Sequence, residues 1–280
     1  MDSALRQSFE EDGAVLVKNC LDKDQLALCR EAFDWAVENH GPNATMMFEG
    51  TEQKSHVDNA NPKAKERLDE LVTKLPFGKI FSELWGSKHV WYFAEEVFLK
   101  AGGKSGRTSF HQDTSYLPWT GRHWGNAWIS FESVPKKNSL EIVKGSHRGI
   151  QYDGPNFVDP NDPTAPLHGE TAVPFLPRLP DIDAERERDP AAFDLVSWAV
   201  EPGDVVLLHP HSLHGGAHVD ADFPLRHTLV LRFFGDDALY RPLPQNSGSG
   251  FGPEGILFVE EMTKLKDGDP FRSSVFKQLV

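Results

Sequence analysis

Phe110-His111-Gln112-Asp113 is the segment of this 280-residue chain whose residue types and spacing point most directly to metal chemistry. Along an extended strand the side chains at i and i+2 leave the same face, so His111 and Asp113 can reach one ion. A neutral imidazole beside a carboxylate suits a borderline divalent metal. Two histidines and one carboxylate on one face of an octahedron form the donor set of non-haem Fe(II) oxygenases. His-x-Asp alone is a weak signal, since it more often marks a surface turn or a hydrogen-bonded pair. A third ligand must come from far downstream. The stretch from His209 to His218 offers histidines at 209, 211, 214 and 218. His214 is favoured because it follows the apolar run Val205–Leu208 and precedes Gly215 and Gly216, which leave room for a co-substrate. His209 and His211 remain as rival ligands or as donors behind the ligands.

Arg226 opens the run Arg226-His227-Thr228-Leu229-Val230-Leu231-Arg232-Phe233-Phe234. A guanidinium meets a carboxylate through two parallel charge-assisted hydrogen bonds. The far carboxylate of 2-oxoglutarate needs such a clamp while its keto-acid end chelates iron. Strand alternation puts Arg226, Thr228, Val230 and Arg232 on one face, so Arg232 is the rival clamp.

The elements around these residues change character along the chain. Residues 3 to 40 read as helix, short strand (Ala14–Val17) and a second helix capped by Asp22. Residues 41 to 62 read as a loop near the substrate. A charged amphipathic helix follows from about Pro62 to Leu75, extending toward Trp85. From Val90 the pattern turns aromatic and β-branched, as strands require. Further strands are expected at Trp128–Phe131, Leu140–Val143, Val205–Leu208 and Thr228–Phe234. Gly149 to Asp194 carries neither signal and reads as a long functional insertion. Residues 241 to 255 are a second candidate lid, followed by a short helix over Glu260–Lys266. The whole chain, 1–280, reads as one domain: a mostly helical region (1–88), a barrel core (89–240) and a C-terminal extension (241–280). Short strands of this kind suit a mainly β, double-stranded β-helix (jelly roll) with helices outside.

Composition narrows the function classes. The formal charge of −13 opposes binding to nucleic acid or to an anionic membrane. No stretch approaches the roughly 20 apolar residues of a membrane span. The N-terminus lacks the pattern of a signal peptide, and Cys20 and Cys29 make no disulfide framework. A cytoplasmic protein with reduced thiols is the expectation, as monomer or homodimer.

Phe110-His111-Gln112-Asp113-Thr114-Ser115-Tyr116, Asn126-Ala127-Trp128, Leu140 to His147, His214-Gly215 and Arg226 together resemble the phytanoyl-CoA dioxygenase family in order and spacing. The resemblance runs over roughly residues 5 to 240. It implies Fe(II) bound by His111, Asp113 and His214, with 2-oxoglutarate and O2 as co-substrates. It implies that Trp128 and Gln112 line the co-substrate pocket and that Arg226 binds the far carboxylate. Gly145-Ser146-His147 then belongs to a structural turn. Gly216 stands where family members often carry a serine. Halogenases of this superfamily replace the carboxylate ligand with Ala or Gly, so Asp113 speaks against halogenation; hydroxylation of a C–H bond is the expected reaction, with desaturation or ring closure left open. Tyr116, Arg107 and Trp119 are candidate substrate contacts, and a small polar metabolite is the expected substrate. Two alternatives stay open: a cupin-type metalloenzyme that does not use 2-oxoglutarate, and a catalytically silent ligand-binding barrel.

Overall fold

The run Leu225–Gly235 becomes the central strand because its alternation supplies two buried faces. Leu229, Leu231 and Phe233 point outward into a core shared with helices, while Val230 points inward between two sheets. In this computed structural model, residues 2–47, 49–52, 55–103, 105–217, 219–223, 225–245, 257–262 and 264–280 are described.

The N-terminal part runs α1 (Ser3–Asp12), β1 (Ala14–Val17), α2 (Lys23–Glu38), β2 (Thr45–Met47), β3 (Ser55–Asn59), α3 (Lys65–Thr73) and α4 (Phe77–Trp85). The middle contains β4 (Val90–Ala101), β5 (Thr108–His111), β6 (Trp119–Thr120), β7 (Trp124–Ser130) and β8 (Leu140–Val143). Then come α5 (Ile182–Arg188), β9 (Leu195–Val196), β10 (Val205–Leu208), β11 (His214–Gly216) and β12 (Leu225–Gly235). The last elements are β13 (Leu239–Tyr240), α6 (Leu257–Met262) and β14 (Lys277–Gln278).

The large sheet has the order β1-β10-β7-β12-β4-β3-β2, and β14 pairs with the part of β4 that β3 leaves open. The small sheet has the order β5-β11-β8-β9. All the strand pairings within the two sheets are antiparallel. Two facing antiparallel sheets of this kind form the expected jelly roll. On β10, Val205 and Leu207 join the helix-side core, and Val206 and Leu208 fill the barrel with Trp128, Leu140 and Ile142. The strands β1, β10, β7, β12 and β4 therefore present apolar side chains to the helix-side core, and the inner face is where polar residues can be spent on chemistry.

Helix boundaries follow local rules. Asp22 accepts from the Gln25 amide, and the Gln25 side chain accepts from the Asp22 amide, closing a capping box at the start of α2. Gly13 ends α1 in the left-handed region (φ 82°), and a Cβ there would sit 2.5 Å from both His147 Nδ1 and Ser212 Oγ.

The structure departs from the sequence reading in four places. Residues 41 to 62 are not all loop: β2 and β3 form a hairpin on the β4 edge. The helix toward Trp85 is two helices, parted at Leu75-Pro76, because proline starts a new helix rather than extending one. The insertion holds one short helix, α5, capped by the Asp181 side chain on the Ala184 amide. The helix expected over Glu260–Lys266 starts earlier, at Leu257, and most of the 241–255 lid lies outside the described residues.

Candidate metal and co-substrate site

His111 and His214 are cross-strand partners in register on β5 and β11 of the small sheet, which sets their rings 4.3 Å apart. Asp113 arrives differently from the sequence argument. The strand ends at His111, and Asp113 opens a 3-10 turn, Asp113–Ser115. That turn is fixed by the Asp113 amide donating to the Pro210 carbonyl at 2.8 Å. The carboxylate still reaches the same point: Oδ1 is 3.5 Å from His111 Nε2 and 3.7 Å from His214 Nε2. One donor atom from each of the three lies within 4.8 Å of the others, the spacing of ligands around one ion.

The groups behind the donors set their chemistry. His111 Nδ1 lies 2.9 Å from the Ser109 carbonyl, and His214 Nδ1 lies 2.9 Å from the Ser212 carbonyl. A carbonyl only accepts, so each Nδ1 carries the proton and each Nε2 presents a lone pair to the centre. Burial pushes the His214 imidazole down to about 4, aided by His111, which keeps it neutral as ligation requires. Burial alone would raise Asp113, but the Arg232 guanidinium and both imidazoles hold its carboxyl well below the usual range. Asn126 Nδ2 donates to Asp113 Oδ2 at 2.7 Å, and Arg232 Nε approaches the same oxygen at 3.5 Å. Asn126 and Arg232 face each other across β7 and β12, so the large sheet pins one carboxylate oxygen and leaves the other for metal.

A narrow chamber opens beside the triad between the sheets. Arg226, Thr228, Trp128, Thr108 and Gly216 line it together with His111, Asp113 and His214. Arg226 is 4% exposed; one guanidinium nitrogen donates to the Asn138 carbonyl at 2.6 Å, and its Cζ stands 5.9 Å over the Trp128 ring. Burial lowers the guanidinium only to about 10, so it stays charged near neutral pH. Arg226 Nε, Thr228 Oγ1 and Asn126 Oδ1 are buried without a partner among the described residues. Orphaned buried polar atoms are costly, and three along one chamber point to a polar ligand that satisfies them. A Cβ at position 216 would lie 3.3 Å from an Arg226 nitrogen and 3.4 Å from Thr108 Oγ1, so glycine keeps the guanidinium approachable.

The rival arginine is already committed. Arg232 pairs with Glu96 and Asp113, leaving Arg226 as the clamp candidate. His209 and His211 are not brought to the triad: His209 is buried against His147, and His211 Nδ1 meets the Thr114 hydroxyl at 2.7 Å. Gln112 is not brought into the chamber either. Its amide donates to the Ile150 and His211 carbonyls and accepts from the Tyr152 amide, tying the insertion to the histidine loop. In an extended segment its side chain must leave the face opposite His111 and Asp113.

On the other side of the triad lies a cavity of about 580 Å³, with His111, Asp113 and Tyr116 among its walls. Of the three substrate candidates, only Tyr116 lines it. Arg107 pairs with Glu141 and Asp183 (2.7 Å to the latter) and takes no part in either chamber. Trp119 is 1% exposed and packs on Trp124 in the core under α6. Asn126, Thr108 and Glu96 are polar chamber residues to which the sequence argument gives no role. Asn126 had a usable signal: it shares a strand face with Trp128, two residues on.

A family model described as phytanoyl-CoA dioxygenase (PhyH) matches residues 9–227. The chain belongs to the phytanoyl-CoA dioxygenase family. A probable phytanoyl-CoA dioxygenase of Caenorhabditis elegans is 24% identical over 253 residues, covering 83% of this chain and 75% of that protein. The fold is shared with SnoK, a non-heme alpha ketoglutarate dependent carbocyclase from nogalamycin biosynthesis (TM-score 0.71, 19% identity, 100% of this chain and 97% of that one). It is also shared with the epimerase SnoN, solved with Fe3+, alpha ketoglutarate and nogalamycin RO (TM-score 0.68, 19% identity, 99% and 98%). EctD from S. alaskensis is a third structural relative (TM-score 0.59, 15% identity, 84% and 77%). A member of this dioxygenase family with a jelly roll and a His-Asp-His donor set is a 2-oxoglutarate-dependent dioxygenase that uses iron. Among the described residues, no helix is long and apolar enough to cross a membrane.

Proposed function

We propose that this protein hydroxylates an unactivated C–H bond of an organic substrate, with Fe(II) held by His111, Asp113 and His214 and 2-oxoglutarate anchored by Arg226. The carrying observation is the pairing of the triad, half-buried at His111 and buried at Asp113 and His214, with a charged, buried Arg226 whose Nε has no partner among the described residues. Iron with 2-oxoglutarate and O2 supplies the oxidising power, yielding succinate, CO2 and an oxygenated product. The chain's own work is placement and exclusion of water. Arg226 and Thr228 offer donors to the far carboxylate, and Trp128 walls the chamber against bulk water. Asn126 and Arg232 hold Asp113 so that one oxygen faces the ion. A cupin-type enzyme whose chamber takes no acidic ligand leaves Arg226 Nε and Thr228 Oγ1 unsatisfied, and a silent ligand-binding barrel is told apart by the absence of turnover.

SnoK is described as a carbocyclase and SnoN as an epimerase, so this scaffold supports more than one outcome at the substrate carbon. Asp113 speaks against halogenation here, because a carboxylate fills the coordination position that a halide would need. The test is succinate formation by anaerobically loaded Fe(II) protein given 2-oxoglutarate and O2, beside Asp113→Ala. Slow succinate release by the wild type and none by the variant is expected. Equal release by both, or none by either, contradicts the proposal.

A further inference from the structure

We infer that the molecule oxygenated at this centre is bulky, mainly apolar and free of negative charge; this rests on the dioxygenase reading above and names its substrate class. The cavity that opens onto His111 and Asp113 has a volume of about 580 Å³. That lies in the range of pockets that enclose whole drug-sized ligands, about 300–1,000 Å³, and far exceeds what a small polar metabolite fills. Much of its wall is apolar: Met47, Val57, Phe93, Phe98 and Phe258 come from β2, β3, β4 and α6.

An aromatic panel stands at the metal end. The Tyr116 and Phe157 rings stack with centroids 6.0 Å apart at 24°. Each also meets the His111 ring nearly edge-on, at 6.0 Å and 73° for Tyr116 and at 5.5 Å and 86° for Phe157. Phe157 holds φ at 55°, a left-handed backbone that bulky side chains rarely adopt. Strain of this kind persists where the surroundings over-determine a conformation, here one that places a flat apolar face beside the reacting position.

Charge decides the second half of the inference. Four carboxyl groups, Glu49, Glu95, Glu96 and Asp113, belong to the described lining, against a single cation, Arg232; burial pushes the Glu95 carboxyl up to about 7, so it adds little charge, and Glu49 is exposed. Arg232 is already paired with Glu96 and Asp113. An anionic substrate, whether a free acid or a phosphate-bearing thioester, would shed its hydration without gaining a free cation. A neutral molecule meets no such penalty, and a cationic one gains from the aromatic faces and from the exposed Glu49.

The test uses three fluorescent four-ring probes of one size: 1-pyrenemethanol, 1-pyrenemethylammonium and 1-pyrenecarboxylate. Each is titrated into anaerobic full-length protein loaded with Fe(II) and 2-oxoglutarate, with pyrene emission as the binding signal. The visible iron-to-2-oxoglutarate absorption band is recorded in the same cuvette. The neutral and cationic probes are expected to bind at least about 10-fold more tightly than the carboxylate. Phe157→Ala, a change at a half-buried loop position, is expected to weaken them by about 10-fold while leaving the absorption band intact. Carboxylate binding as tight as the others, binding by none, or indifference to Phe157→Ala overturns the inference. Probe selectivity without an absorption band sinks the dioxygenase reading instead and leaves the pocket's preference standing.

Discussion

Two chambers meet at His111 and Asp113, and they are built in opposite ways. The narrow one is lined from the long central strands β7 and β12 and ends at the buried cation Arg226. The wide one is walled by a short hairpin, one turn of insertion around Phe157 and the helix α6, and the one cation of its described lining, Arg232, is already paired. Strands in register place donors rigidly, which suits a co-substrate that never changes. Loops and edge elements vary at little cost to the fold, which suits a substrate that differs among relatives. The triad sits on the seam, and on the proposed reading recognition of 2-oxoglutarate by Arg226 is kept apart from recognition of the substrate, whose chamber holds no unpaired cation among the described residues.

The largest departure expected from this division lies in the wide chamber. Burial raises the Glu95 carboxyl from its ordinary 4.5 to about 7, with the Asn61 amide and the Tyr92 hydroxyl as its hydrogen-bond partners. A raised carboxyl favours the folded state in its protonated form. Its contribution is therefore full below about 4.5 and lost as pH rises through about 7. Between pH 5 and 8.5 the wild type should lose up to about 3 kcal/mol that Glu95→Gln does not lose, read by urea unfolding. Equal slopes for the two proteins would contradict a neutral Glu95. Next in size is the seam itself. Asn126→Ala frees one oxygen of Asp113 and should weaken iron binding by about 10–100-fold, measured by competition with a chelator. Unchanged affinity would show that the large sheet does not orient the carboxylate. The smallest effect is expected outside both chambers: Arg107→Met should leave turnover within about twofold, because its partners are Glu141 and Asp183. A large loss of activity there would redraw the boundary of the site.

The parts legible in the sequence are those where one face of a regular strand carries the function. Arg226, Thr228 and Arg232 share a face by alternation alone, and β12 bears that out. The alternation left the choice of clamp open, because it cannot show that Glu96, 136 residues away, neutralises Arg232. Gln112 was placed in the chamber on family resemblance, although its position between His111 and Asp113 already sends it to the opposite face. The hairpin β2–β3 was read as loop because three- and five-residue strands at a sheet edge leave too short a period to detect. Trp119 shows the same limit from the other side. An aromatic near a site in sequence is as readily core, and only packing on Trp124 and Phe271 decides it.

The central claim is that Arg226 anchors 2-oxoglutarate at an iron held by His111, Asp113 and His214. It is tested most directly by titrating 2-oxoglutarate into anaerobic Fe(II) protein and following the visible charge-transfer band, for the wild type and Arg226→Met. The account predicts a band that saturates in the wild type and needs about 30-fold or more 2-oxoglutarate in the variant, with iron content unchanged in both. A band that saturates at the same concentration in both proteins, or no band in the wild type, would contradict it.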